Sequence, residues 1–346
     1  LPDVAALGAV FLRRIAPSYP LMAISFLFYA SMRNTEHAAP PILASSIAFV
    51  LNTVLNYILI YGHFGAPKMG VQGSATATLV ARVVELGITL WIVYGRKLPS
   101  AVGLRHIFRV DPTFLASALK ISLPVMANEG IWVLGVSIYP AIYGRMGEPV
   151  IAAVNVMSTL ERLSFVFAMG MGNAAAAIVG KQIGAGRKDL AYRYGGLSLL
   201  IGPLTSIVIG AAILLSRPLV LPLFNLSGAA LDNAMLVVAL SAAFLWVRSF
   251  SMICVVGVLR GGGDTVAALL LDVVPLWAVA VPLAMVGGLV FHWPLLFVYL
   301  AASCDEIIKV VLSGLRFLSK RWIHDLVNEP DKGLPIEAAP STEPLA

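Results

Sequence analysis

The chain alternates between long apolar runs and short polar connections. Nine runs have the roughly 20 mostly apolar residues that a helix needs to span a bilayer. They are residues 15–32, 42–61, 73–95, 116–143, 150–180, 190–215, 233–259, 266–290 and 294–318. Several exceed the minimum, which predicts tilted helices or helices that continue past the membrane. The runs are too long for barrel strands and lack their alternating period. The pattern predicts an all-α polytopic membrane protein.

Composition agrees. Of the 346 residues, 59% are hydrophobic and 12% charged, whereas a soluble domain carries roughly 25% charged residues. A net charge of +6 fits basic cytoplasmic loops better than a nucleic-acid partner, and none is expected. Cys254 and Cys304 lie inside apolar runs without metal-ligand spacing and read as small core residues. His37, His63, His106, His292 and His324 are scattered over separate connections and ends. A membrane enzyme would need a cluster of His, Asp, Ser or Cys at one face. Neither an enzyme nor a metal site is expected.

Lys and Arg set the orientation. One set of connections holds Arg33, then Arg96, Lys97, Arg105 and Arg109, then Lys181, Arg187, Lys188 and Arg193, then Arg260, then Arg316, Lys320 and Arg321. The alternate set holds Lys68, Arg145 and Arg217, with Arg13 and Arg14 near the amino end. The first set reads as cytoplasmic, which puts Leu1 outside and the carboxyl end inside. The chain starts with Leu and has no signal peptide, so it is expected to be a fragment that lacks an odd number of helices before Leu1.

An internal echo sharpens this reading. "SMRNTEHAAPPILASSIAFVLN" begins at Ser31 and "VLRGGGDTVAALLLDVVPLWAV" at Val258, with Arg33 and Arg260 separated by 227 positions. Each copy has an apolar helix, an Arg, a short polar turn and a new apolar helix. Duplicated bundles are common among transporters, and a matched first half would require three more helices. The expected organisation is a remnant of an amino-terminal lobe at 1–95, a cytoplasmic linker at 96–113, a six-helix carboxyl-terminal lobe at 114–320 and a cytoplasmic tail at 321–346. The tail is rich in Pro and Glu and reads as a short amphipathic end followed by disorder.

"VVGVLRGGGDT", residues 255–265, looks like a nucleotide loop. It lacks a Lys before the Thr, and a membrane helix rather than a strand feeds it. It is predicted to be a cytoplasmic turn. Arg260 would anchor it, the glycines would allow a tight reversal with φ > 0, and Asp264 or Thr265 would cap the next helix. The glycines and alanines of "GNAAAAIVGKQIGAG" predict close helix packing.

These and other stretches resemble the multidrug and toxic compound extrusion (MATE) transporters. The resemblance is carried by "LPVMANEGIWVLGVSIYPAIYGRMG" from Leu123, "GMGNAAAAIVGKQIGAGRKDLA" from Gly170, "VGVLRGGGDT", "LDVVPLWAVAVPLAMVGG" from Leu271 and "LNYILIYGHFGAPKMGVQGSATAT" from Leu55. It runs to about Leu326 and includes "RFLSKRWIHDL" from Arg316. It implies a two-lobe bundle of twelve helices, of which nine are present here, in the bacterial inner membrane. It also implies alternating access between the lobes, with efflux of organic cations and drugs driven by H⁺ or Na⁺. Such a protein would have small-molecule cationic substrates, the lipid bilayer as its surroundings and no cofactor beyond the coupling ion, and would act as a monomer.

Ionisable residues inside a membrane usually face a cavity or a partner. Glu129, beside Asn128 in the fourth run, is the leading candidate for binding a coupling ion or substrate, and the resemblance adds an acid in this helix. Arg248 departs from the family pattern, in which an acid stands at about this place; it is a candidate partner for Glu129. Asp272, before Pro275 in the eighth run, is a further candidate. Arg82 with Glu85, and Asp305 or Glu306 with Lys309, have spacings that pair opposite charges on one helix face, and read as structural. Glu161 and Arg162 are adjacent, so each needs a partner elsewhere. A flippase for lipid-linked precursors is the alternative; it would line its path with cations, whereas here most basic residues have acids nearby.

Overall fold

The computed structural model describes residues 2–35, 37, 39–101, 103, 112–224, 226 and 228–324. Helices occupy all nine predicted runs. In chain order they are α1 (Pro2–Ile15), α2 (Ser18–Asn34), α3 (Ala39–Tyr61), α4 (Val71–Gly95), α5 (Pro112–Val136), α6 (Ile138–Arg145), α7 (Glu148–Gly184), α8 (Lys188–Val220), α9 (Gly228–Leu259), α10 (Thr265–Val290) and α11 (Leu295–Leu318). No strand occurs among the described residues; an isolated bridge joins Gly263 and Ile323.

Seven of the described helices are long and apolar enough to cross a membrane, or eight if the α1–α2 pair, bent by 41°, counts as one span. Pro17 stands at that bend and has no N–H to continue the helix. The ninth predicted run is the 24-residue α11, whose middle carries Asp305, Glu306 and Lys309. Large exposed side chains such as Phe49, Trp91, Val166 and Leu215 point outward, as helices solvated by lipid require.

The chain divides at residue 110 into two compact units. In the first, α4 packs against α1, α2 and α3. Its buried face consists of small residues, Gly73, Ala75, Ala77 and Ala81, followed by Glu85 and Thr89, and small residues let backbones approach closely.

In the second unit α9 is the central helix, with most of its residues buried. It packs on α7, α8 and α11, while α10 packs on α5 and α11. The crossing of α7 and α9 requires Gly257: a methyl group there would lie 2.9 Å from the Gly172 carbonyl oxygen. Three stretches are π-helical, Ile253–Leu259 in α9, and Leu276–Ala280 and Val286–Val290 in α10. Pro275 and Pro282 interrupt the hydrogen-bond ladder of α10.

The apolar core of this unit falls into two clusters. One gathers Ile142, Tyr143, Ala153, Met157, Val237, Val298 and Tyr299. The other gathers Val179, Ile253, Cys254, Val258, Phe317 and Trp322. Along α7, α9 and α11, Glu161, Ser241, Arg248, Ser303, Asp305 and Lys309 fall between the two. The fold thus holds a polar layer between two apolar ones. Cys254 is a buried core residue, as expected, and Cys304 is half-buried.

The glycine-rich turn differs from its expected form. Gly263 has φ +87°, so the tight reversal is present. Asp264 takes the N-cap position of α10 without a side-chain cap bond, and Thr265 is the first helical residue. The Asp264 carboxylate instead accepts from Arg316 Nε at 2.7 Å, because a buried acid is better satisfied by a guanidinium than by one amide. The turn is also clamped. Trp322 is fully buried against Gly262, its indole donates to the Phe317 carbonyl at 3.0 Å, and the His324 amide donates to the Gly262 carbonyl at 2.9 Å. The related turn after Arg33 is closed by the Thr35 hydroxyl, which donates to the Ser31 carbonyl at 3.0 Å. Glu36 of that turn, Arg105, His106 and Arg109 of the linker, and residues 325–346 of the expected tail lie outside the described residues.

Candidate functional site in the helix interior

The polar layer is built around Lys309, which is 2% exposed. Its position on α11 puts Asp305 four residues earlier and Glu306 three earlier. Both spacings bring side chains together on a helix. Nζ lies 2.9 Å from Asp305 Oδ2 and 3.4 Å from Glu306 Oε1. A third carboxylate comes from α10: Asp272 Oδ1 is 3.1 Å from the same Nζ. One ammonium, with three N–H groups, is thus shared by three carboxylates. From α5, Asn128 Nδ2 donates to the other oxygen of Asp272, Oδ2, at 3.0 Å. Asn128 is 1% exposed, and its Oδ1 has no hydrogen-bond partner.

A second centre adjoins it on α7, α9 and α11. Arg248 Nη1 donates to Glu161 Oε1, which also accepts from the Ser241 hydroxyl. Arg248 Nη2 donates to the Tyr299 hydroxyl at 3.1 Å and the Ser303 hydroxyl at 3.4 Å. Tyr299 Oη donates to Glu161 Oε1 at 3.3 Å. The guanidinium also lies 5.9 Å from the Tyr299 ring centroid, within cation–π range. Each charge here has its counter-charge, and Glu161 accepts from three donors.

The two centres differ in charge balance. Arg248 and Glu161 cancel. Lys309 faces Asp272, Asp305 and Glu306, so full ionisation would leave two uncompensated negative charges. Charges removed from water without compensation are costly. This centre therefore favours taking up something positive. Lys309 and Asp305 are sealed, with side chains 3% and 5% exposed, whereas Asp272 and Glu306 keep 16% and 20%. The surplus sits on the two acids that are less deeply buried.

The candidate residues read from the sequence divide between these centres and the surface. Asn128 and Asp272 are brought together. Arg248 faces Glu161, not Glu129, because it projects from α9 toward α7. Glu129 accepts from Arg260 Nη1 at 2.7 Å, with 55% of its side chain exposed. Arg260, expected as a loop anchor, therefore reaches back to α5. Arg162 is exposed beside Glu161. Asp305, Glu306 and Lys309 read as a self-neutralising pair from the sequence, but two acids and one Lys do not cancel. That arithmetic was the available signal.

The first unit has a polar site of its own. Glu85, 2% exposed, pairs with Arg82 at 2.5 Å, as the spacing predicted. It also accepts from the Tyr29 hydroxyl of α2 at 2.9 Å. Arg82 and Glu85 line a cavity of about 620 Å³ together with Ser45, Ser46, Asn52 and Thr78. Among the described residues, no group of His, Cys, Asp and Glu has an arrangement able to hold a metal ion.

Comparisons with known proteins match the chain to a family. The MatE family matches residues 2–58 and 131–286. A probable multidrug resistance protein NorM of Thermotoga maritima is 26% identical over 303 residues, covering 87% of this chain and 64% of that protein. The uncharacterized transporter YisQ of Bacillus subtilis is 24% identical over 327 residues, covering 93% of this chain and 70% of that protein. The multidrug resistance protein PmpM of Pseudomonas aeruginosa is 25% identical over 305 residues, covering 83% and 60%. The chain thus spans less than two thirds of the length of the Thermotoga and Pseudomonas relatives. Among solved structures, an outward-facing multidrug resistance MATE family transporter shares the fold with a TM-score of 0.75 at 21% identity, covering 90% of this chain and 68% of that one.

Proposed function

Because the chain belongs to the MatE family, we propose that this protein is a secondary active antiporter that exports organic cations or drugs in exchange for H⁺ or Na⁺. It works by alternating access as a multi-pass protein of the bacterial inner membrane, without a cofactor and without enzymatic chemistry. Two of the relatives described above carry multidrug resistance in their names, which supports the substrate class.

The observation that carries the reading is the carboxylate surplus around Lys309. An antiporter needs a buried site that is stable when loaded with a cation and costly when empty, since that difference ties ion movement to conformational change. Asp272 and Asn128 belong to this coupling site. Arg248 supports it by keeping Glu161 neutralised, so that the surplus remains on Asp272 and Glu306. Glu129 is assigned to cationic substrate: it is the more open carboxylate, and a bound cation would compete with Arg260 for it. A flippase for lipid-linked pyrophosphates would require a surplus of the opposite sign.

The test is dye efflux from a drug-sensitive bacterium that expresses the protein, with H⁺ and Na⁺ gradients imposed separately. Efflux that follows one gradient supports antiport. Efflux indifferent to both excludes it.

A further inference from the structure

The antiport reading leaves open which ion is carried and by which atoms, and the geometry around Lys309 bears on both. The space between Asp272, Asp305 and Glu306 holds the Lys309 ammonium. Both oxygens of Asp272 face N–H donors, Lys309 Nζ on Oδ1 and Asn128 Nδ2 on Oδ2. A Na⁺ ion coordinates oxygen lone pairs and is repelled by such donors. A proton needs no coordination shell. It binds one carboxylate oxygen and removes one negative charge.

The groups that face this centre are Asp305, Glu306 and Lys309 on α11, Asp272 on α10 and Asn128 on α5. Arg248 on α9, tied to Glu161 on α7, also faces Glu306, and Tyr139 on α6 faces Asp305 and Lys309. Since Lys309 and Asp305 are sealed and oppositely charged, they form a fixed neutral pair. The two less deeply buried acids are Asp272 and Glu306.

Asn128 supplies the independent observation. Its amide donates to Asp272, while its Oδ1, buried on the same side-chain group, is an acceptor without a partner. An unpaired buried acceptor is unfavourable, and the amide can present either its donor Nδ2 or its acceptor Oδ1 to Asp272. An ionised Asp272 accepts from Nδ2, whereas a protonated Asp272 has an O–H to donate. A half-turn of the amide exchanges Nδ2 for Oδ1, so that Oδ2–H of the acid then donates to Oδ1.

Building on the antiport reading, we propose that Asp272 and Glu306 take up and release the coupling protons, and that the Asn128 amide turns over when Asp272 changes charge. In one step a solvent proton adds to a carboxylate oxygen to give a neutral acid; in the return step the same O–H bond breaks and the proton leaves to water. Lys309 stays charged throughout. Asn128 is a positioning residue.

The experiment is an infrared titration of the intact protein in detergent micelles, with no substrate present, alongside binding of radiolabelled Na⁺. Lowering the pH is expected to raise a protonated-carboxyl band that shrinks in both Asp272→Asn and Glu306→Gln. Asn128→Ala is expected to keep the band but shift its frequency, as loss of a hydrogen bond does. Asp272→Glu should retain a titrating band, which separates a proton site from a merely structural acid. A band unaltered in both Asp272→Asn and Glu306→Gln overturns the assignment, as does saturable Na⁺ binding that Asp272→Asn removes. Efflux in proteoliposomes tests the other level. If the titration behaves as expected but neither a H⁺ nor a Na⁺ gradient drives efflux, antiport fails and the proton site stands.

Discussion

Arg260 Nη1 and Glu129 Oε1 meet at 2.7 Å across 131 residues of sequence. This pair ties α5 to the glycine-rich turn between α9 and α10. The Arg260 side chain is 13% exposed and that of Glu129 55%, so the acid is available to a second cation while the guanidinium is held beneath. The relationship turns two separate sequence features, an intramembrane acid and a loop anchor, into one contact.

Opposite effects on substrate affinity follow. Glu129→Gln removes the carboxylate and should raise KM for a cationic dye about fivefold, the factor that corresponds to roughly 1 kcal/mol for a partly exposed ion pair. Arg260→Gln frees the carboxylate and should lower KM for the same dye. Initial rates of dye efflux check both. Shifts in the same direction would exclude competition between Arg260 and substrate.

Glu161 and Arg248 should show strong coupling. Glu161→Gln leaves a part-buried guanidinium without its counter-charge, and Arg248→Met leaves the acid in the same position. Breaking a buried pair costs about 3–5 kcal/mol, and partial exposure here lowers the expectation to about 2 kcal/mol for each single variant. The double variant Glu161→Gln with Arg248→Met should lose less than the two losses added together. Thermal unfolding in detergent, arranged as a double-mutant cycle, measures the difference.

Lys309 is the residue on which the carboxylates depend. Lys309→Met places three acids together with no cation between them and should lower stability by about 3 kcal/mol or more. Adding Asp305→Asn returns the cluster to its original charge sum and should recover much of that loss. Thermal melts of the single and double variants in one detergent provide the check. Failure of Asp305→Asn to help would mean that Lys309 acts through packing and not through charge.

Trp322 should behave as a core residue although it follows the last spanning helix. It is fully buried against Gly262 and Phe317, and truncating a buried Trp costs about 3–5 kcal/mol. Trp322→Ala should therefore lower the melting temperature. Gly262→Ala should do so as well, because its methyl group would lie 2.3 Å from the indole ring. The same methyl would lie 2.6 Å from the Trp322 carbonyl oxygen, so the Trp322→Ala background should relieve only part of the Gly262→Ala loss.

The spans were legible in the sequence because each depends on its own composition. A run of apolar residues long enough for a bilayer forms a helix whatever its neighbours are, and all nine predicted runs are helical. Pairs within one turn were legible for the same reason: Arg82 with Glu85, and Asp305 with Lys309, are fixed by helical spacing alone. The partner of Arg248 is not legible in the sequence, because nothing in its own run indicates whether α9 turns that side chain toward α5 or α7.

Sequence by itself determined the helices, their order and the number of charges placed among them. Tertiary structure decided which charges meet. Asp272 and Lys309 lie on different helices, Asn128 is 144 residues from Asp272, and Glu161 is 87 from Arg248. The physical reason is the range of the forces. Hydropathy acts residue by residue and survives any rotation of a helix about its axis. A 3 Å contact between two helices exists for one rotation and one depth only, and packing of all the helices sets both.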